Sequence, residues 1–228
     1  MADEVGEVGK RKVGEDEVDG DEVAGDKVAK RPRENDRVGG EVVYPSNDVL
    51  QFYSKSADAD TLQIGKSFRR QLSNFALVPG GFVFEGIIYP TVEHAYQRKK
   101  ACYCTSPGDL YAAQALYAKQ FDGKDAAQAK KAGSKKGMRE MNLFLNLEQW
   151  SDASDGVMKG ILQARYDADE NFRKILEAVA SSGKTLVHFS RGDHYWGGKV
   201  VPAGKFVTIV GQNKLGVMLM DLAKENKL

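Results

Sequence analysis

SNFALVPGGFVFEGIIYPTVEHAYQRKKACYC, residues 73–104, changes character once, at Pro90-Thr91. Before that point, over residues 62–89, apolar stretches alternate with turn residues. This is the pattern of short strands, here expected to join through Pro79-Gly80-Gly81. After it, the run 91–104 holds no Gly or Pro. Thr91 is a good N-cap, and Glu93 places an acid in the first turn, so a helix is expected to start there. Working outward, Pro107-Gly108 interrupts that helix, and Ala-rich helical segments follow at 108–121 and 125–136. Two more helices are read at 151–167 and 169–180, where Val157, Ile161 and Leu162, then Phe172, Ile175, Leu176 and Val179, recur at three- and four-residue spacing. Strands are expected at 184–190 and Phe206–Val210, and a last helix at 215–224. Helices outnumber strands and do not alternate regularly with them. The expected class is α+β, a single mainly helical domain around a small sheet.

Charge divides the chain. Residues 1–40 carry 8 Lys/Arg and 12 Asp/Glu with no aromatic residue, a net of −4, whereas residues 41–228 net +5 and hold all 19 Phe and Tyr and both Trp. A segment so poor in apolar surface cannot offset the roughly 1–2 kcal/mol per residue that ordering a backbone costs. Residues 1–40 are therefore expected to be a disordered low-complexity tail, and 41–228 one domain. The tail is flanked by Lys10-Arg11-Lys12 and Lys30-Arg31-Pro32-Arg33, which resemble a weak bipartite nuclear signal with an acidic spacer. No apolar run reaches the roughly 20 residues of a membrane helix, and the first residues lack the apolar core of a secretory signal. Cys102 and Cys104 are the only cysteines, too close for an easy mutual disulfide and too few for a Cys-based zinc site. An intracellular location, cytoplasmic or nuclear, is expected.

Four clusters carry groups suited to chemistry. On the helix from Thr91, Glu93, Gln97 and Lys100 stand at i, i+4 and i+7 and share one face. They form either a solvated stripe or a carboxylate, an amide and an amine converging on a ligand. In GDHYWGGK, residues 192–199, Asp193 and Trp196 lie in a Gly-rich loop after a strand, and Trp196 can stack a base or plug the core. Ser73, Asn74 and Phe75 offer two polar groups beside a ring, or a simple turn. Asn213, in GQNKLG (211–216), is a candidate N-cap for the last helix. His94, His188 and His194 show no metal-ligand spacing, and no metal or cofactor is expected.

Taken in order, LSNF, YPTVEHAYQRKK, Trp150, LVHFSRGDHYWG and GQNKLGVMLM resemble the NADAR superfamily, the YbiA-like proteins, from about residue 66 to 223. The resemblance implies a compact α+β domain that cleaves N-glycosidic bonds, either in ADP-ribosylated guanine or in ribosylated pyrimidine intermediates of riboflavin synthesis. It implies Glu93, Lys100, Asp193 and Trp196 as the site, with Ser73, Asn74, Phe75, Gln97, Trp150, Gly197 and Asn213 in support. Two positions depart from the family pattern. His188 stands where a Glu is usual, and Arg165 where a Lys is often seen. The +5 body and the basic runs Lys130-Lys131 and Lys135-Lys136-Arg139 suit a polyanion, so ADP-ribosylated guanosine, in nucleic acid or as free nucleotide, is the expected substrate. Those lysines also fit a solvated face. The riboflavin-type activity, a non-catalytic ADP-ribose reader and a scaffold whose tail binds partners remain as alternatives, and protein partners are open.

Overall fold

The computed structural model describes residues 43–226, and the expectations for the acidic tail and its basic clusters lie outside them. The chain begins with two short strands, β1 (Val43–Pro45) and β2 (Val49–Phe52), then a single helical turn, α1 (Phe68–Gln71). A hairpin of β3 (Phe82–Phe84) and β4 (Ile87–Tyr89) leads into α2 (Val92–Lys99), which tightens into a 3₁₀ turn over Lys100–Tyr103. Next come β5 (Cys104–Thr105), α3 (Leu110–Lys119), α4 (Ala126–Ala132), α5 (Lys135–Glu140) and β6 (Phe144–Leu145). Two long helices, α6 (Leu147–Ala168) and α7 (Glu170–Ser182), precede β7 (Thr185–His188), β8 (Lys199–Ala203), β9 (Phe206–Val210) and α8 (Lys214–Glu225). The class is α+β, as the pattern of elements requires.

The strands do not form one sheet. β1, β9 and β8 pair antiparallel in that order, β2 pairs parallel with β7, and the hairpins β3–β4 and β5–β6 stand apart. A parallel bridge between Phe189 and Gly198 joins β7 to β8 at one point. The β3–β4 connection corrects the expected turn. It is made by Glu85 and Gly86, both at positive φ (50° and 77°), the backbone twist that two-residue hairpin loops require. Pro79 and Gly80 instead form an earlier corner, closed by the Gly81 amide donating to Val78 O at 2.9 Å, and 73–78 is loop rather than strand. β8 escaped the sequence pattern because Lys199–Ala203 has only one partly buried residue, Val200, between exposed ones.

One large core gathers α6, α7, α8, β2, β7, β3 and the inner face of α2. A second and smaller one lies around Tyr117, Phe121, Ala129, Met138 and Leu143. The three- and four-residue spacing places Phe172, Ile175, Leu176 and Val179 of α7 in the first core, each at most 2% exposed. Asn146 caps α6, its Oδ1 accepting from the Gln149 amide at 3.1 Å, so Trp150 sits in the first turn of that helix and not ahead of it. At the other end Arg165 is fully buried. Its guanidinium donates to Gln71 O (2.8 Å), Ser73 O (3.3 Å) and the Asp169 carboxylate (3.2 Å), and it lies 4.0 Å over the Phe172 ring. Five fixed donors allow one Arg to hold two carbonyls and a carboxylate, which a Lys point charge does less well. Burial pushes its pKa down to about 10, against the pull of Asp169. Replacing Arg165 with Met strands Asp169 and both carbonyls, and stability falls by about 3–5 kcal/mol in urea unfolding. A smaller loss, under about 1 kcal/mol, would show that the guanidinium is not what anchors residues 71–73.

Candidate active site

Thr91 starts α2 as the sequence indicates. Its Oγ accepts from the His94 amide (3.3 Å) and meets His94 Nδ1 at 2.7 Å, while His94 Nε2 lies 3.0 Å from Lys124 O. The Glu93 amide donates to Asn74 O (3.0 Å), which lays the Ser73–Phe75 loop against the start of the helix. The Glu93–Gln97–Lys100 face is therefore buried and not a solvated stripe: Glu93 is 6% and Gln97 5% exposed. Gln97 Nε2 donates to Glu93 Oε1 at 2.7 Å. One turn on, Lys100 Nζ donates to Gly133 O at 3.1 Å and sits 5.8 Å over the Tyr96 ring. Gly133 has to be glycine, because a Cβ there would fall 2.0 Å from Gln97 Oε1. The close approach of the α4–α5 turn to α2 puts the carboxyl, amide and amine in one place.

Burial then changes their chemistry. Desolvation pushes the Glu93 carboxyl above its usual range, against the Gln97 hydrogen bond and the Lys130 and Lys100 charges. The same desolvation pushes the Lys100 amine down to about 8, with Glu93 pulling it back up. At pH 7 about one Lys100 amine in ten is then neutral, against roughly one in three thousand for an ordinary lysine. Burial also pushes the Tyr96 hydroxyl up and lowers the His188 pKa, leaving a neutral imidazole at pH 7.

The Gly-rich loop closes the site from β7. Asp193 Oδ1 accepts from the Tyr195 amide (3.0 Å) and the Trp196 amide (2.9 Å), and the Asp193 amide donates to Ser190 Oγ (2.9 Å). The Asp193 carboxylate is exposed and shapes this turn, so the role visible for it is to position Trp196. Trp196 meets Tyr96 edge-on at 5.6 Å, and Tyr96 packs on the buried Trp150 at 5.1 Å, so both Trp residues join one aromatic column. Gly197 lies where the backbone folds back, since a Cβ would meet His188 O at 2.7 Å. Its carbonyl accepts from the Asn213 amide (3.1 Å). Asn213 occupies the N-cap position of α8 at φ 49° but makes no capping bond with its side chain. Its amide instead pairs with β7, accepting from the His188 amide (2.9 Å) and donating to Leu186 O (2.8 Å). That is a structural duty, outside the ligand contact expected of it.

Three buried polar atoms in this region have no partner among the described residues: Asn74 Oδ1, Gln97 Oε1 and His188 Nδ1. Asn74 touches Met158 Sδ with its amide nitrogen (3.8 Å), and Ser73 Oγ is engaged by the Phe75 amide (3.2 Å) while Phe75 stays half-buried. Unpaired buried acceptors are costly and mark where a ligand is expected to bond. Tyr96, Gly133 and His188 were not among the residues singled out from the sequence as the site. Tyr96 reads there as one more aromatic, and Gly133 as a break inside an Ala-rich helix. Among the described residues no three His, Cys, Asp or Glu side chains gather as metal ligands, and no helix is long and apolar enough to cross a membrane. Gly133→Ala is expected to displace Gln97, lower stability by about 1–3 kcal/mol and shift the Lys100 titration away from 8, as read by NMR of the ammonium. An unchanged titration would disconnect Gly133 from the site.

Comparisons with known proteins bear on the fold and the family. No curated protein matches the chain. The NMR structure of the E. coli protein YbiA is similar to it with a TM-score of 0.51 at 24% sequence identity, over 78% of this chain and 83% of that one, so the fold is shared. The NADAR domain model matches residues 51–225, from β2 to the end of α8, and the chain accordingly belongs to the NADAR domain family, a family of N-glycosidase-type proteins.

Proposed function

We propose that this protein hydrolyses the N-glycosidic bond between ADP-ribose and a guanine base, using Lys100 as nucleophile and Glu93 as proton carrier. The observation that carries the reading is the buried Glu93–Gln97–Lys100 face, with its lowered amine and its unpaired acceptors. An N-glycosidic bond breaks through an oxocarbenium-like transition state, which a buried carboxylate stabilises far better than a solvated one. The neutral Lys100 amine bonds to C1′ as the C1′–base bond breaks and its electron pair leaves with the base. Glu93 takes the proton shed by the new ammonium centre and delivers it to the departing base. The remaining N–H proton moves to O4′ as the ribose ring opens to an imine. Water then adds at C1′, the C1′–Nζ bond breaks, and free ADP-ribose leaves with the amine restored.

Glu93 and Lys100 speak against a domain that only binds ADP-ribose, since a reader has no use for a buried amine beside a carboxyl. A phosphate-bearing substrate is supported by Lys130, whose charge reaches Glu93, Lys100 and His188 alike. His188 supports it as well, because a neutral imidazole stands where a carboxylate would repel an anion.

Side-by-side incubation with ADP-ribosylated guanosine and with the ribosylated pyrimidine tests the substrate. Release of guanosine is expected, release of the pyrimidine alone would move the assignment to that class, and release from neither would remove both enzymatic readings. Borohydride reduction during turnover is expected to trap a covalent adduct that is absent in Lys100→Ala; full activity without an adduct would eliminate the imine. Glu93→Gln should lower kcat/KM by about 10²–10⁴-fold. Since only the neutral amine attacks, kcat/KM should rise with pH through about 8, and a profile flat from pH 6 to 9 contradicts this role for Lys100.

A further inference from the structure

We propose that the Tyr96 ring is the electrostatic host of the Lys100 side chain, its π face stabilising the positive charge that Nζ carries during the reaction. The proposal rests on the glycosidase reading above and adds to it a residue that acts through an uncharged ring.

Tyr96 and Lys100 stand four residues apart at the end of α2, so the helix lays the amine over the ring. Nζ lies 5.8 Å from the ring centroid, within reach of a cation–π attraction. Two other cations lie over rings with a carboxylate beside them, Lys214 with Asp155 and Arg165 with Asp169. Lys100 has no carboxylate within ion-pair distance among the described residues. What Nζ meets instead is Gly133 O at 3.1 Å and this ring. Burial is the largest influence against its charge; from farther off Glu93 favours the charge, Lys130 opposes it and Cys104 favours it.

The ring is held firmly. Tyr96 is buried, packs on Trp150 at 5.1 Å and is met edge-on by Trp196 at 5.6 Å, and Tyr103 and Tyr195 back those two rings at 5.3 and 5.1 Å. Burial pushes the Tyr96 hydroxyl up, so the ring stays a neutral phenol. It acts through the negative potential of its face and not as a phenolate. That attraction is weak in water and stronger where the cation is desolvated, as Lys100 is.

The reaction puts charge on Nζ twice. As the Nζ lone pair bonds to C1′ and the C1′–base electron pair leaves with the base, Nζ becomes an ammonium centre. Once Glu93 has taken one proton, the lone pair left on Nζ expels O4′ from C1′, and Nζ is an iminium until its last proton reaches O4′. Both species gain from the ring relative to the neutral amine. Neither gains relative to the resting ammonium, whose charge the ring already stabilises. The ring therefore speeds the reaction above the Lys100 pKa and not below it.

Replacing Tyr96 by Phe and then by singly, doubly and triply fluorinated Phe drains the ring face of negative potential at nearly constant size. Along this series the Lys100 titration, read by NMR of the ammonium, should move down by about half a unit to one unit. With ADP-ribosylated guanosine, kcat/KM at about pH 9.5 should fall stepwise by about threefold to tenfold, and at about pH 6 should change by less than about twofold. Tyr96→Leu, which has no face, should lie at or beyond the triply fluorinated end; the fluorinated chains carry the test alone if its Tm shows that it does not fold. A titration that ignores fluorination overturns the proposal. In a chain that cleaves, so does a high-pH rate that ignores it, or an equal loss at both pH values, the mark of a ring that only packs. A titration that follows the series in a chain that cleaves neither substrate would sink the glycosidase reading and leave the ring standing as host of the Lys100 charge.

Discussion

The contact between α2 and the turn joining α4 to α5 is the constraint on which the site depends. Gly133 carries no side chain, so its backbone can lie against Gln97 and offer its carbonyl to Lys100. In these surroundings Glu93 and Gln97 are removed from water, and desolvation lowers the Lys100 amine. A carboxyl and an amine on the exposed side of a helix would form an ordinary i,i+7 pair of negligible reactivity. Buried together, with acceptors left unpaired around them, they gain the shifted protonation that the proposed proton carrier and nucleophile need.

The rest of the domain holds that arrangement from both sides. Arg165, buried under α7, ties the carbonyls of residues 71 and 73 to Asp169, and the next residue, Asn74, receives the Glu93 amide. Asn213 stitches α8 to β7 through Leu186 and His188, and its own amide holds Gly197 in the Trp loop. Asp193 turns that loop so that Trp196 lands on Tyr96. Each of these polar groups is satisfied locally, whereas Asn74 Oδ1, Gln97 Oε1 and His188 Nδ1 are not. A protein folds around satisfied polar groups and leaves unsatisfied ones where a ligand completes them.

Much of the fold was legible because helical periodicity is strong in α6, α7 and α8, and because Thr91 is a good cap, although α6 starts four residues before the expected 151. The small strands were less so. β8 lacks the alternation that marks a half-buried strand, and the true hairpin turn, Glu85-Gly86, is a weaker signal than Pro79-Gly80-Gly81 beside it. Within the site, Glu93, Gln97 and Lys100 were legible as one helix face, since 3.6-residue periodicity alone puts them there. Asn213 does stand at the N-cap position of α8, as Asn before a helix usually does, yet at φ 49° its side-chain amide turns toward β7 and makes no capping bond.

The sequence by itself determined the α+β class, the helix that begins at Thr91, the shared face of Glu93, Gln97 and Lys100, and the family resemblance that the domain match bears out. These depend on neighbours within a few residues, or on motifs kept in order along the chain. Only the tertiary structure decided that this face is buried, that Gly133 lies against it, and that the Lys130 charge reaches it. Burial is a property of what packs on a helix from elsewhere in the chain. For Lys100 the helix α2 supplies the position, while a glycine 33 residues away accepts its hydrogen bond and burial by distant parts of the chain lowers the amine.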